Sequence, residues 1–297
     1  MSRTALAPAK VNLYLHVGAL APDGYHPLCS LMAFADFGDL VSTHEAAAFE
    51  LAIRGPFAGR LAADADNLVA RAARLLIGEA KRPLPPVGLV LDKRLPVASG
   101  LGGGSSDAGA TLRLLCNEYR LSPGDQRLEA LAASLGADGA ACLWARPVIA
   151  QGRGELLSPA PILPPDLDVV LVNPGVPVST AEVYRRFDAA GRFGDIAPPP
   201  APEAFESAAE LAGWLALQRN DLEAAAIATA PEVGAVLETL ADEPETLLAR
   251  VSGSGGTCFA LCGSDIEAEG LAERLESMAP SWWIKRCRLG GPWPDPA

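Results

Sequence analysis

The chain has 297 residues, 49% of them hydrophobic, which is long enough for two ordinary domains or one large one around a substantial core. Its 24 Lys+Arg against 36 Asp+Glu give a formal charge of -12, so nucleic acid and anionic membranes are excluded as nonspecific partners. An anionic ligand must then be held in a local electropositive pocket.

No stretch reaches the apolar length of a membrane span, and the start "MSRTALAPAKVNLYL" has neither an unbroken apolar core nor a small-residue cleavage site. The expected setting is the cytoplasm and the expected partner a small molecule, with no nucleic acid and no membrane; the oligomeric state is not legible. Cys29, Cys116, Cys142, Cys258, Cys262 and Cys287 show no CxxC spacing and no histidine at zinc-ligand distance, and read as reduced core thiols.

In chain order, "KVNLYLHVG" (10–18) alternates, with Val11, Leu13, Leu15 and Val17 on one face of a half-buried strand and Lys10 and Asn12 together on the other. A second strand spans 49–55. From Asp66 to Glu79, Leu68, Val69, Ala72, Leu75 and Leu76 recur at helical spacing, with Asp64 or Asp66 as the cap. Residues 87–97 read as a strand closed by Pro96. The run "GLGGGSSDAG" (100–109) follows and opens a helix over 105–119; a further helix over 124–135 ends at Gly136. Asp138 lies just past it among small residues, where an aspartate ordinarily caps or turns the chain.

The proline-rich stretch near 158–166 interrupts the pattern, and the boundary between an N-terminal unit (1–160) and a C-terminal one (161–297) is drawn there. Beyond it come a strand in "VVLVNPG", a surface loop in "APPPAPEA" and alanine-rich helices over 220–242. Then follow strand, glycine turn and strand in "LLARVSGSGGTCFALCG", a helix over 266–278 and a last strand over 282–289. Mixed helices and strands without an internal repeat indicate a two-domain α+β or α/β protein.

The glycine run lacks the lysine of a P-loop, and Ser105 stands where a dinucleotide fingerprint needs its third glycine. Glycines still let backbone approach a ligand closely, and a helix N-terminus presents unpaired N–H groups and partial positive charge. Together they make an anion site, to which Ser105 and Ser106 add hydroxyls. The plainer alternative is a tight connection in which Ser105 or Ser106 is an ordinary cap.

Taken jointly, "PAKVNL" at the N-terminus, "PVASGLGGGSSDA", "LGAD" and the late "SGSGGTCF" resemble the GHMP kinases. The further motifs "DGYH", "GRGE", "STAEVY" and "NDLE" resemble the branch that phosphorylates diphosphocytidyl methylerythritol on its 2-hydroxyl with ATP and Mg2+, a step of non-mevalonate isoprenoid biosynthesis. The resemblance implies an α+β fold with an N-terminal domain like the second domain of ribosomal protein S5, a ferredoxin-like C-terminal domain, and an active site in the cleft between them. It implies that Pro96, Val97, Ala98, Ser99, Gly100, Leu101, Gly102, Gly103, Gly104, Ser105 and Ser106 hold the ATP phosphates. Lys10 and Asp138 would be the catalytic pair, Asn12 would meet the methylerythritol end, Tyr25 and Tyr184 would clamp the cytosine, and His26 would read its edge. The loop from Gly253 to Thr257 would lie beside the phosphate loop. No magnesium ligand is assigned: Ser105, Ser106 and Asp107 are candidates, and Asp107 equally suits a first-turn acid. His16 and His44 read as solvated or core-satisfied.

The sequence departs from that pattern in three places. Gly139, Ala140 and Ala141 stand where Val-Pro-Phe is usual, implying a looser wall around Asp138. Gly256 and Gly109 replace residues that normally carry a side chain.

Overall fold

The computed structural model describes residues 3–64 and 66–296. In chain order the elements are β1 (Thr4–Val17), β2 (Leu28–Glu45), β3 (Glu50–Arg54), α1 (Leu68–Glu79), β4 (Val87–Asp92), α2 (Gly103–Tyr119), α3 (Asp125–Ala133), α4 (Gly139–Trp144), β5 (Val148–Gly152) and β6 (Leu156–Pro159). Then follow β7 (Leu167–Asn173), α5 (Thr180–Ala190), α6 (Ala208–Ala216), α7 (Glu223–Thr229), α8 (Pro231–Asp242), β8 (Thr246–Val251), β9 (Cys258–Cys262), α9 (Asp265–Met278) and β10 (Trp283–Gly290).

The strands run in the order β3-β4-β2-β10-β7-β9-β8, with β1 and β5 also paired to β2 and β6 to β5. The C-terminal portion has the β-α-β-β-α-β connectivity of a ferredoxin-like unit: last strand β10, first strand β7, third strand β9 and second strand β8 lie side by side, all antiparallel. The 160/161 boundary falls in the connection between β6 and β7.

β7 is buried along its whole length because both of its faces are covered: Val169 and Leu171 enter a core with Leu211, Leu215 and Phe259, and Val170 and Val172 enter another with Val233, Leu271 and Leu275. A third core packs Val69, Ala72 and Leu76 of α1 and Leu112 and Leu115 of α2 against Leu89 and Leu91 of β4. Val69, Ala72 and Leu76 of the expected periodicity are buried, whereas Leu75 is exposed, and Ala70 and Ala73 complete the buried stripe instead.

Several local expectations are corrected. Val11, Leu13, Leu15 and Val17 do not share one face. The pairing of β1 with β2 slips between Asn12 and Tyr14, so Val11 and Leu13 join one core while Leu15 and Val17 join another. The cap of α1 is Asn67, whose side chain accepts from the Val69 N–H at 3.0 Å, rather than Asp64 or Asp66. β4 ends at Asp92, five residues before the expected end of its strand (87–97), and α2 begins two residues earlier than its helical spacing suggested. β2, an 18-residue strand, went unread because its first seven positions after Leu28 are all buried and leave no alternation to detect. All six cysteines are free, five of them buried. Among the described residues no helix is long and apolar enough to cross a membrane.

Candidate active site

Gly102, at φ +63°, turns the chain into α2, and no side chain caps the helix. Neither Ser105 nor Ser106 does so: Ser106 is fully buried and donates its hydroxyl to the Pro8 carbonyl at 2.7 Å. The first N–H groups of this 17-residue helix therefore face a cavity of about 1160 Å³ with only solvent to satisfy them. Every residue expected in the site lines this cavity except Leu101 and Ser106. Leu101 is buried, and its carbonyl accepts from the Lys10 N–H at 2.9 Å, which fixes the loop to β1.

The glycines are required by close approach. At Gly100 (φ +79°) a Cβ would lie 2.4 Å from the Ser252 carbonyl oxygen, and at Gly256 (φ +92°) 3.0 Å from Ser99 Cα. The late glycine loop thus lies directly against the phosphate loop. It is propped by Asn220 of "NDLE", which donates to the carbonyls of Val251 and Gly253, each at 2.8 Å. The Ser252 hydroxyl joins the two loops to β1, donating to Gly100 O and accepting from Asn12 N, each at 3.2 Å.

Lys10 Nζ donates to Asn12 Oδ1 at 2.5 Å and lies 3.1 Å from Asp138 Oδ2. Asn12 in turn donates to Ser30 Oγ at 2.7 Å, so the lysine is aimed by a buried relay. Asp138 occupies the N-cap position of α4, but its side chain makes no capping bond and is left to Lys10. The wall behind it is tight, contrary to the expectation of looseness. A Cβ at Gly139 would meet Ala132 O at 1.9 Å, and one at Gly109 would meet Cys142 O at 2.6 Å, so these two glycines let α4 seat against α3 and α2.

A buried triad underlies the phosphate loop. Lys93 Nζ bonds Asp39 Oδ2 at 2.5 Å and Asp107 Oδ2 at 2.7 Å, and Asp39 Oδ1 also accepts from the backbone of Arg94 and Leu95. Burial pushes the Asp107 carboxyl well above the usual range, with Asp39 adding to the push and Lys93 opposing it. Burial alone would lower Lys93, but Asp107 and Asp39 outweigh it and hold the ammonium above the usual lysine range. Asp107 Oδ1 is buried with no partner, on a residue that lines the cavity. With α2 starting at Gly103, Asp107 lies beyond the first turn and is not the first-turn acid the sequence suggested. Lys93 and Asp39 were missed in the sequence because the lysine follows a strand and the aspartate lies within one, with no shared motif.

Aromatic rings line the same cavity. Tyr25, 55% exposed, and Tyr184 both line it, and burial together with the Asp138 charge pushes the Tyr184 hydroxyl up to about 12. His26 packs 5.1 Å from the Tyr184 ring. Its Nδ1 bonds Gly18 O at 2.9 Å, while its Nε2 lies 3.3 Å from Asp188 Oδ1, an oxygen that takes no hydrogen bond. His16 is buried with neither ring nitrogen partnered, contrary to the core-satisfied expectation, and burial lowers it to about 4.

The GHMP kinases N terminal domain matches residues 67–146 and the GHMP kinases C terminal domain residues 201–281. A 4-diphosphocytidyl-2-C-methyl-D-erythritol kinase of Caulobacter sp. (strain K31) is 58% identical over 294 residues, covering 99% of this chain and all of that protein. The enzyme of that name from Hyphomonas neptunium is 47% identical, covering 97% of each chain. A crystal structure of 4-(cytidine 5'-diphospho)-2C-methyl-D-erythritol kinase superposes with a TM-score of 0.74 at 32% identity, over 98% of this chain and all of that one. A homoserine kinase from Cytophaga hutchinsonii, at TM-score 0.71 and 18% identity over 97% of this chain and 95% of its own, shares the fold. Matched in both halves and aligned end to end with such relatives, the chain belongs to the GHMP kinases, in the family of the 4-diphosphocytidyl-2-C-methyl-D-erythritol kinases.

Proposed function

We propose that the chain transfers the γ-phosphoryl group of ATP to the 2-hydroxyl of 4-diphosphocytidyl-2-C-methyl-D-erythritol, in the cytoplasm. The observation that carries this is one cavity lined by an uncapped helix N-terminus, by the Lys10–Asp138 pair and by Tyr25 and Tyr184. An acceptor without a base, such as homoserine or mevalonate, has no use for the two aromatic rings.

Phosphoryl transfer has a loose transition state, so positioning and charge stabilisation dominate. The α2 N–H groups hold the phosphates. Asp138 orients the acceptor hydroxyl and takes its proton, and Lys10, aimed by Asn12, steadies charge on the transferred group. Tyr25 and Tyr184 stack the base, and His26, fixed through Nδ1 by Gly18 O, reads its edge with Nε2.

Among the described residues no cluster of three or more His, Cys, Asp or Glu is arranged to hold a metal. Magnesium typically takes few protein ligands and completes its shell with phosphates and water. Ser105 in the cavity wall is a hard oxygen donor that fits this pattern, whereas the Ser106 hydroxyl is spent on Pro8 and the Asp107 carboxyl is bonded to Lys93 and pushed by burial toward its protonated form. When bound, the ion offsets the charge of the nucleotide phosphates.

The test is ADP release with ATP and a panel of acceptors: the diphosphocytidyl compound, methylerythritol phosphate, homoserine and mevalonate. Turnover confined to the first is expected; equal or greater turnover of any other rules the assignment out.

A further inference from the structure

The β5–β6 turn carries "GRGE", a motif that no step above uses. Gly152 and Gly154, at φ +70° and +110°, bend it tightly, and the Gly154 N–H donates to Gln151 O at 3.0 Å. Register brings the turn to both ends of the acceptor's path. Gly152 pairs with Leu28, two residues beyond His26, and a Cβ at Gly154 would lie 2.7 Å from the carbonyl oxygen of Ala137, the neighbour of Asp138. Between these contacts Arg153 holds its guanidinium 4.2 Å from the Tyr25 ring centre and pairs with Asp23.

The two lysines lining the cavity are committed: Lys10 is bonded to Asn12 and Asp138, and Lys93 is buried between two carboxylates. Arg185 is ion-paired in the open, to both oxygens of Glu182 with its own side chain 68% exposed; what singles out Arg153 is its place over the Tyr25 ring. Arg153 and Asp23 each have side chains 47% exposed, and an ion pair in water is weak enough to be exchanged for a better anion. A guanidinium matches phosphate oxygens bidentately, and in a chain of net charge -12 a diphosphate has to find such a partner locally.

We propose that Arg153 is the specificity-determining counter-charge for the diphosphate that joins the base to the reacting end of the acceptor. This rests on reading the two aromatic rings as the cytidylyl subsite. On binding, the guanidinium leaves Asp23 for the diphosphate, and the turn's seat on Ala137 fixes the distance from that anion to Asp138.

The test measures binding of cytidine and of CDP to the full chain by calorimetry, together with steady-state kinetics, for wild type, Arg153→Leu and Arg153→Lys. Wild type is expected to bind CDP about 10- to 100-fold more tightly than cytidine, the worth of a charge-assisted bond. Arg153→Leu should lose that preference with cytidine binding unchanged, and Arg153→Lys should regain part of it. KM for the diphosphocytidyl acceptor should rise by a similar factor in Arg153→Leu, with kcat and KM for ATP nearly constant. The inference is overturned if wild type shows no preference for CDP, if Arg153→Leu keeps it, or if KM for ATP rises in step with that for the acceptor. A CDP preference lost in Arg153→Leu, in an enzyme that does not phosphorylate the diphosphocytidyl acceptor, would refute the proposed reaction and leave the Arg153 assignment standing.

Discussion

Lys10 Nζ lies 3.1 Å from Asp138 Oδ2, and a Cβ at Gly102 would sit 3.0 Å from Lys10 Cε and 3.5 Å from that same carboxylate oxygen. The pair therefore works within van der Waals reach of the phosphate loop. Asp138→Asn keeps the shape and removes the base, so turnover is expected to fall about 10²- to 10⁴-fold with the urea midpoint nearly unchanged. Wild-type turnover in that variant would remove Asp138 from the chemistry.

Two glycines of the phosphate loop should respond very differently to a single methyl group. Gly100→Ala places Cβ 2.4 Å from Ser252 O and 2.6 Å from Gly255 O, both backbone, at φ +79°. Left-handed strain and overpacking together are expected to cost about 2–4 kcal/mol and to raise KM for ATP. Gly103→Ala meets side-chain atoms rather than backbone, first the Lys93 ammonium at 3.0 Å, and carries no left-handed strain, so it should be the milder change. Paired urea melts and ATP titrations check the order; equal effects would show that the loops are not docked as described.

The buried triad is expected to be asymmetric. Lys93→Met leaves Asp39 and Asp107 without a cation and should cost about 3–5 kcal/mol, the usual penalty for breaking a buried pair. Asp107→Asn removes one of two like charges. The raised Asp107 carboxyl means that the folded state holds a proton the unfolded chain has already released, so stability falls as pH rises above the ordinary carboxylate range. Asp107→Asn should flatten that fall and equal or exceed wild-type stability at pH 8 in urea denaturation. A variant markedly less stable than wild type at that pH would contradict the account.

His16 imposes the opposite slope. Held at about 4 against an ordinary 6.5, it binds its proton less readily folded than unfolded, so stability is full above pH 6.5 and is lost as pH falls toward 4. Its share is at most about 3 kcal/mol from the size of the shift. His16→Leu is expected to lose less stability than wild type between pH 7.5 and 5; an unchanged slope would show that other groups carry it.

The site residues were named through the joint order of motifs that carries the resemblance: taken alone, the glycines fit a tight connection, Lys10 a strand residue and Asp138 a cap or turn. What could not be read depends on tertiary contact. Gly139 and Gly109 look like losses until Ala132 O and Cys142 O are found where their side chains would be. Asp39 and Lys93 carry no motif and meet only because β2 pairs with β4, opposing Leu40 and Asp92. β2 itself hid because burial on both faces erases the two-residue period, and the slip in β1 broke a pattern that looked regular.

β10 pairs with β7 from Trp283 to Leu289 and reaches β2 at Leu289 and Gly290, opposite Ala35 and Phe34. Among the described residues it is the last strand of the sheet in chain order, so until it pairs, the β2 and β7 edges that it joins stay open to pairing with another chain, and folding intermediates that lack it are the ones most in need of shielding from one another.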